Sequence, residues 1–400
     1  MTEGVVRIAG NLRVCILTNT LVPHFLPFFK RLRESLGDLQ ILLSIPMEKD
    51  RGWPVEWEDL SVRIQKCWTY STFRTYEAGF KEQMWRHIPY DTLPALIRYR
   101  PDVIVSTELG FRTMQAAAYR KLFPKSRLIV WNGFSEHTEK GVPAWRTLQR
   151  RLLYRAADAA SANGESAVSY LVKLGVARHK IFRLPYCPDI SPILKMPLAR
   201  KADEARRLLY VGRLNERKGL VPFLRTLSDW LRQHPLEERE LWIAGEGPLR
   251  GMLEGFPVPP QLRLTFLGGV AYDNLPKLYA QGGLFVFPTL ADEWGMVVNE
   301  ALAAGLPILG SVYSQAVEEL VREGVTGWTF RPDCHDEVQR ALDRALSTPV
   351  SALAELRVRC RQAVDHLAPS SGADRLLRAI EFVTSKAGDN ADAQVLQRDW

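Results

Sequence analysis

The sequence is poor in cysteine, has no long apolar run and lacks the short motifs that hold structural metals. Its five cysteines are widely spaced, and no CxxC or Cys/His cluster occurs, so neither a disulfide framework nor a zinc site is indicated. No apolar stretch approaches the roughly 18 residues of a membrane-spanning helix. The N-terminus also lacks the charged, apolar and small-residue order of a signal peptide. We therefore expect a cytoplasmic globular protein without a bound metal.

Acidic residues are under-represented in the first half of the chain only. Residues 1–190 hold 28 Lys and Arg against 18 Asp and Glu, whereas residues 191–400 hold 25 against 27. A basic excess is typical of a solvated face, and also of a surface that attracts an anionic acceptor or the inner face of a membrane. Both interpretations stay open. Nothing resembles a nucleic-acid-binding module, so no nucleic-acid partner is expected.

Strand and helix patterns alternate through both halves, as in an α/β protein. A strand at 12–17, a helix at 25–35 and a strand at 39–44 predict a parallel sheet with right-handed crossovers. A proline-rich stretch at 185–202 separates this pattern from a second one that starts at 208. We predict a first domain at 1–190, a linker at 191–204, a second domain at 205–366, a helix at 367–388 that returns to the first domain, and a tail at 389–400.

Polar side chains follow several predicted strands of the first half. Ligands of parallel α/β sheets bind beyond the carboxyl ends of the strands, so these side chains are candidates for binding an acceptor. They are Asn19, Thr20, His24, Glu108, Glu136 and His137. Residues 51–90 interrupt the alternation with many aromatic side chains. We interpret these rings as packed beneath a long loop, with an acceptor-binding insertion as the alternative.

Four loops of the second half, 212–219, 245–248, 268–270 and 289–295, follow strands expected to be neighbours. Three of them are rich in glycine, which permits close backbone approach to a ligand. A helix is predicted to begin at Gly295, just beyond the strand at 285–287. The free N–H groups of a helix N-terminus suit an anion. Together with Arg213 and Lys218, this arrangement predicts a diphosphate site.

Two carboxylates flank the predicted anion site. Asp292 lies on the last loop, and Glu300 lies one to two turns into the helix. A carboxylate repels phosphate but accepts hydrogen bonds from hydroxyls, as the acid of a nucleotide ribose clamp does. These two residues therefore suit the sugar hydroxyls of a nucleotide ligand.

The segments GRLNERKG, AGEGP, FLGG, FPT and DEWGMVVNEALAAGLPIL closely resemble those of the retaining GT-B glycosyltransferases of family 4, group 1. The resemblance is specific over 205–332 and looser over 12–190. It implies an α/β fold of two Rossmann-like domains with parallel sheets that face a central cleft. The first domain would bind the acceptor and the second the nucleotide diphosphate sugar.

The resemblance also implies roles for individual residues. Arg213 and Lys218 would hold the diphosphate, Glu300 the ribose, and Asp292, where the family usually has Glu, the transferred sugar. The neighbouring Glu293 is one residue out of the family's register and would be a bystander. His137 corresponds by position to a histidine of the family's cleft and joins Asp292, Arg213 and Lys218 as a catalytic candidate. The full set of implied donor-binding residues is Gly212, Arg213, Lys218, Gly247, Gly268, Val270, Asp292, Gly295, Met296, Val297 and Glu300.

The implied activity is that of a retaining hexosyltransferase of class EC 2.4. Its donor would be a nucleotide diphosphate sugar, and its acceptor a hydroxyl of a glycan, a lipid-linked glycan or a small molecule, in polysaccharide, glycolipid or glycoside biosynthesis. We expect neither metal nor cofactor, because the cations and the helix N-terminus would stabilise the leaving diphosphate.

Two alternatives remain. One is a non-catalytic protein that binds a sugar nucleotide or a membrane surface, in which only the second domain would keep its functional residues. The other is a GT-B epimerase, which would need further catalytic acids and histidines in the first half. A dinucleotide oxidoreductase is disfavoured, since no GxGxxG motif with a following acid occurs.

Overall fold

The computed structural model describes residues 12–48, 57, 59–76 and 79–385. The chain forms two compact units. Unit 1 comprises Met1–Arg74, Gln83–Asp189 and Pro369–Trp400, and unit 2 comprises Thr75–Glu82 and Ile190–Ala368. The predicted tail at 389–400 lies outside the described residues. No helix among the described residues is long and apolar enough to cross a membrane.

The strands alternate with helices along most of the chain. In chain order the strands are β1 Arg13–Thr18, β2 Asp38–Leu43, β3 Val62–Ile64, β4 Cys67–Thr75, β5 Lys81–Pro89, β6 Val103–Thr107, β7 Arg127–Trp131, β8 Ala159–Ala162, β9 Ile181–Arg183, β10 Leu208–Val211, β11 Arg239–Ala244, β12 Leu262–Gly268, β13 Leu284–Phe287, β14 Ile308–Ser311 and β15 Gly327–Phe330.

The α-helices are α1 Leu26–Ser35, α2 Thr92–Tyr99, α3 Phe111–Leu122, α4 Ala144–Ala156, α5 Glu165–Lys173, α6 Ser191–Leu194, α7 Leu220–Gln233, α8 Arg250–Glu254, α9 Leu275–Tyr279, α10 Met296–Ala303, α11 Gln315–Leu320, α12 His335–Leu346, α13 Val350–Gln362 and α14 Pro369–Thr384. Short 3-10 helices occupy Pro23–Phe25, Arg178–Lys180, Glu216–Lys218 and Tyr272–Asn274.

Each unit is built on one parallel sheet, as the α/β pattern predicts. The sheet of unit 1 has seven strands in the order β3-β2-β1-β6-β7-β8-β9, and that of unit 2 has six in the order β12-β11-β10-β13-β14-β15. The paired neighbours in both sheets run parallel. In both sheets, therefore, the loops that leave the carboxyl ends of the strands emerge at one edge.

Strand β1 shows why these sheets are buried on both faces. Successive strand residues point to opposite faces. Val14 and Ile16 pack in one apolar cluster with residues of α1 and α14, whereas Cys15 and Leu17 pack in another with residues of α2 and α3. All four side chains are fully buried. Burial of the aliphatic ones, Val14, Ile16 and Leu17, stabilises the fold by about 1.5–3 kcal/mol each.

Helix α14 packs against α1 within unit 1, although unit 2 precedes it in the chain. Arg31 of α1 donates to Asp374 of α14 at 3.2 Å, and Gly372 lies close to the Phe28 ring. The stretch 191–204, predicted as a linker, packs with unit 2. There Arg200 donates to the backbone oxygens of Gly282 at 2.8 Å and Ala304 at 2.7 Å.

The aromatic stretch after β3 is a hairpin of β4 and β5, not a long loop, and the interpretation that its rings are packed is wrong for several of them. Trp68 and Phe73 are 66% and 70% exposed, while Phe80 near the turn is buried. The strand β4 alternates half-buried and exposed residues, so one of its faces lies in solvent. Sequence periodicity missed this because aromatic residues stand on the exposed face.

Candidate functional site

The four glycine-containing loops of unit 2 meet at one edge of its sheet. The order β12-β11-β10-β13 makes their strands neighbours, which confirms the predicted adjacency. Backbone hydrogen bonds join the loops directly: Gly212 N–H donates to Ala244 O at 3.0 Å, and Gly245 N–H donates to Gly268 O at 2.7 Å. Leu290 N–H donates to Arg217 O at 2.8 Å. The loops therefore form one continuous surface above the strand ends.

The close backbone approach that requires glycine here is between loops. A Cβ on Gly245, whose φ is +144°, would lie 1.9 Å from Gly212 O. At Gly247 a Cβ would lie 2.4 Å from Leu214 O. No side chain fits between these backbones. These glycines therefore allow the loops to pack against one another. From the sequence alone we predict a different role for them, which is close approach of the backbone to a ligand.

Lys218 and Asp292 form an ion pair at this edge. The ammonium group of Lys218 contacts the Asp292 carboxylate and lies 5.3 Å from the centre of the Phe287 ring. Both side chains are only 14% exposed. Lys218 is therefore not the solvated cation that an exposed loop lysine usually is, and the pair is held at fixed positions by its surroundings.

Arg217, which the sequence analysis does not single out, completes a largely buried cluster of charges. Its guanidinium donates to Ala291 O at 2.9 Å and lies 3.4 Å from the Asp292 carboxylate. It also lies 3.0 Å from the carboxylate of Glu82, another residue of unit 2. Burial by itself would raise the pKa of Asp292, but Lys218 and Arg217 outweigh burial and hold that pKa below its ordinary value. Asp292 is therefore ionised at neutral pH.

The helix N-terminus stands next to this cluster, one residue later than predicted, since α10 begins at Met296. Gly295 caps it with φ +100°, and a Cβ there would lie 2.8 Å from the Phe287 ring and 2.9 Å from Ser314 Oγ. Met296 and Val297 form the first turn and are half-buried. The amides of this turn have no intrahelical partner, which suits an anion.

Hydrogen bonds of buried polar side chains hold the loop before α10 in place. Trp294 Nε1–H donates to Asn299 Oδ1 at 2.8 Å. Ser314 Oγ–H donates to Trp294 O, and Gln315 Nε2–H donates to Glu293 O at 2.5 Å. Because the backbone of Glu293 and Trp294 is held, the adjacent Asp292 is kept in position beside the cations.

Glu300 is buried and carries a shifted pKa. It is 7% exposed, and Tyr279 O–H donates to its carboxylate at 2.7 Å. Burial raises the pKa of Glu300 to about 7, although the hydrogen bond from Tyr279 acts to lower it. Sequence reasoning missed Tyr279, which stands on α9 with no local motif. A buried carboxylate with one fixed donor is suited to accept further hydrogen bonds from hydroxyl groups.

The remaining donor candidates lie around the first three loops. Arg213 is exposed, and its backbone oxygen accepts from Tyr210 O–H at 2.8 Å. The loop of Gly268 and Val270 is joined to the β11 loop by Glu246, which accepts from Gly269 N–H at 3.1 Å. This places the predicted donor residues on one edge of unit 2, with the ion pair between the helix N-terminus and the first loop.

The carboxyl edge of unit 1 has its own polar network, centred on a residue that sequence reasoning missed. Arg112, in the first turn of α3, is buried and donates to Ser44 Oγ at 3.1 Å and to Asn19 Oδ1 at 2.7 Å. The Asn19 amide in turn donates to Glu108, which has φ +66°. Arg112 thereby ties the loops after β1, β2 and β6 together, so two predicted acceptor residues are neighbours.

The other four acceptor candidates have separate surroundings. Thr20 is half-buried in the loop after β1, and His24 lies in the 3-10 helix beside Phe25, with ring centres 5.2 Å apart. Glu136 lies 2.5 Å from the ammonium group of Lys173. His137 is half-buried in the loop after β7.

Comparison with known proteins is consistent with this geometry. Residues 205–348 match the family model described as glycosyl transferases group 1. A 147-residue stretch is 33% identical to an uncharacterized glycosyltransferase, MJ1607, of Methanocaldococcus jannaschii, and covers 36% of this chain and 37% of that protein. The matches to the first three curated relatives span from 37% to 51% of their lengths, so the chain covers about half of them or less.

Solved structures match over nearly the whole chain. The lipopolysaccharide outer core galactosyltransferase WaaB, in its apo form, superposes with a TM-score of 0.69 at 13% identity, covering 93% of this chain and 99% of that one. The Anabaena protein Alr3699/HepE, in complex with UDP-glucose, superposes with a TM-score of 0.64 at 14% identity, covering 93% and 100%. The two units therefore have the Rossmann-like α/β fold of the GT-B glycosyltransferases, and within unit 2 residues 205–348 match the group 1 family model.

Proposed function

We propose that the protein is a retaining glycosyltransferase of family 4 that moves a hexosyl group from a nucleotide diphosphate sugar to an acceptor hydroxyl. The observation that carries this proposal is the carboxyl edge of unit 2, where the largely buried ion pair of Lys218 and Asp292 adjoins the N-terminus of α10. The match of residues 205–348 to the group 1 family supports it. The nucleotide diphosphate sugar is the donor, as UDP-glucose is bound by one protein of the same fold.

The donor is held by groups of matching charge. Lys218, Arg213 and the amides of the first turn of α10 bind the diphosphate, which is an anion. Glu300 accepts hydrogen bonds from the ribose hydroxyls, with Tyr279 fixing its carboxylate. Asp292 accepts from the hydroxyls of the transferred sugar while its charge is balanced by Lys218 and Arg217.

The reaction requires no protein nucleophile. The bond between the anomeric carbon and the diphosphate oxygen breaks, and negative charge builds on the leaving diphosphate. Lys218, Arg213 and the helix N-terminus stabilise that charge, so that neither metal nor cofactor is needed. The acceptor oxygen attacks the same face of the sugar, and its proton passes to an oxygen of the leaving diphosphate. The new bond therefore keeps the anomeric configuration.

The acceptor is bound by unit 1, where Asn19 and Glu108 offer hydrogen-bonding groups fixed by Arg112. We assign Thr20, His24, Glu136 and His137 to the same task, and His137 to catalysis. A glycan, a lipid-linked glycan or a small glycoside supplies the hydroxyl.

The test is a thermal-shift screen of nucleoside diphosphates and their sugars, followed by product assays. The matching nucleotide should raise the midpoint through mass action. In Glu300→Ala the shift should vanish for the same nucleotide, while Arg263→Ala, which removes a cation that is 81% exposed in the same unit, should keep it. If no nucleotide sugar shifts the midpoint and none is consumed with any acceptor, the proposal fails. Product of inverted configuration would overturn the retaining mechanism alone.

A further inference from the structure

Helix α4 of unit 1 exposes a stripe of large apolar side chains. Trp145, Leu148 and Leu152 are 62%, 58% and 55% exposed. Their spacing of three and four residues places them on one face of the helix. The opposite face is the one that packs, since Leu153 and Tyr154 are buried. The apolar stripe is therefore additional to the face that holds α4 on the unit.

Helix α3 carries a second stripe beside the first. Phe111 and Met114 are each 44% exposed, and Leu122 is 63% exposed. Positions 111, 114 and 122 lie on one helix face. The side-chain amide of Gln149 on α4 lies 3.6 Å from Met114 Sδ, so the two helices are in contact there. We call the exposed residues 111, 114, 118, 121, 122, 145, 148, 151, 152 and 155 the α3–α4 face.

The charge on the α3–α4 face has one sign. Neither α3 nor α4 contains an aspartate or a glutamate. Lys121, Arg151 and Arg155 are exposed beside the apolar residues. Arg150, by contrast, is buried and paired with Glu139, so it belongs to the interior of the unit. The face thus combines exposed leucine and tryptophan side chains with exposed cations and no anion of its own helices.

We propose that the α3–α4 face binds the protein peripherally to an anionic lipid surface. Tryptophan and leucine side chains enter the boundary between lipid headgroups and acyl chains, while Lys and Arg attract anionic headgroups. A second copy of this chain is a poorer partner for the same face, because like charges would meet. The inference does not depend on the proposed reaction, since lipid binding is measured without a donor or an acceptor.

The test uses the full chain and two kinds of vesicle, phosphatidylcholine alone and phosphatidylcholine with phosphatidylglycerol as about one lipid in three. The protein should co-sediment with the anionic vesicles, bind neutral ones much more weakly, and dissociate as salt is raised. Arg151→Glu/Arg155→Glu should weaken binding to anionic vesicles by about tenfold or more. Trp145→Ser/Leu148→Ser/Leu152→Ser should weaken binding to both kinds.

Two control variants test whether vesicle binding depends on the α3–α4 face itself or on net charge and exposed apolar side chains in general. Arg225→Glu/Arg340→Glu makes the same change in net charge at exposed residues of unit 2. Trp68→Ser/Leu236→Ser removes two apolar side chains that are 66% and 97% exposed elsewhere. Both controls should bind vesicles as the unchanged protein does. Failure of the unchanged protein to bind anionic vesicles overturns the proposal, and so does an equal loss in the controls. Self-association abolished by the serine variant, without vesicle binding, would assign the face to a second copy instead.

Discussion

Each unit is built on a parallel sheet with helices, but the charged side chains at the carboxyl edges of the two sheets are placed differently. At the edge of unit 2, Lys218, Arg217 and Asp292 form a largely buried cluster beside a helix N-terminus. Glycines there allow the neighbouring loops to pack in contact with one another. At the edge of unit 1, one buried arginine, Arg112, ties three loops together, and exposed cations stand on helices instead. A fixed diphosphate site needs preorganised charge, whereas acceptor sites vary with the acceptor. In the function that we propose, unit 2 activates the donor and unit 1 selects the acceptor, and this difference in charge supports that division.

The largest expected effect comes from removing Lys218, one of the two cations of the unit 2 cluster. In Lys218→Ala, transfer should fall by about 100- to 1,000-fold, because charge on the leaving diphosphate loses a preorganised partner. Donor hydrolysis should fall in parallel, as it passes through the same leaving group. Steady-state assays with and without acceptor measure both rates. Near-normal rates in a folded variant would remove the catalytic role from this cluster.

The shifted pKa of Glu300 makes a prediction about stability. Its pKa rises from 4.5 in the unfolded chain to about 7 in the folded one, so its burial destabilises the fold as pH rises through that interval. Glu300→Gln should therefore raise the free energy of unfolding at pH 8 by up to about 3 kcal/mol while abolishing nucleotide affinity. Urea unfolding at several pH values measures this.

The two proteins should become equally stable below about pH 3.5, a full unit under the unfolded pKa of 4.5, where Glu300 is protonated in both states. Tyr279→Phe serves as the control for the hydrogen bond. Loss of that donor should move the pH midpoint of nucleotide binding upward, because the charged form of Glu300 loses a partner. A stability gap between Glu300→Gln and the unchanged protein that is the same at all pH values would contradict the assigned pKa.

Substituting one glycine in each unit separates two costs in stability. One is the clash of a new side chain with its neighbours, and the other is the strain of a positive φ. Gly295 and Gly141 both have positive φ, +100° and +71°, but only Gly295 has side chains within reach of a new Cβ. Gly141→Ala should cost about 1 kcal/mol for its backbone conformation, and Gly295→Ala about 2 kcal/mol or more. Chemical denaturation measures both. Equal losses in the free energy of unfolding would show that the loop before α10 shifts to accommodate the new methyl group.

The smallest expected effect tests the edge of unit 1. Glu108→Ala should lower transfer by about tenfold through weaker acceptor binding, the size of one hydrogen bond to a charged group. Nucleotide binding and donor hydrolysis should be unchanged. The KM for the acceptor and a nucleotide titration give the two readouts. A matched loss of nucleotide affinity would contradict the separation of tasks between the units.

Much of the fold followed from local pattern. The strand at 12–17, the helix at 25–35 and the strand at 39–44 follow from the apolar pattern, and the structure has them at Arg13–Thr18, Leu26–Ser35 and Asp38–Leu43. The hairpin of β4 and β5 does not, since Trp68 and Phe73 stand on its exposed face. Helix α11, with six residues, was missed because it is too short to show a period.

The sequence by itself determined the class of fold, because alternating strands and helices form a parallel α/β sheet. It also indicated that the four loops of unit 2 lie together, since the loops that follow parallel strands emerge at one edge of the sheet. Only the tertiary structure decided which charges work together. Tyr279 and Glu300 are 21 residues apart, and Lys218 and Asp292 are 74 apart. Such pairs meet through packing of separate elements, which no local motif records. Burial then sets the pKa of Glu300, and burial is likewise a property of the folded chain alone.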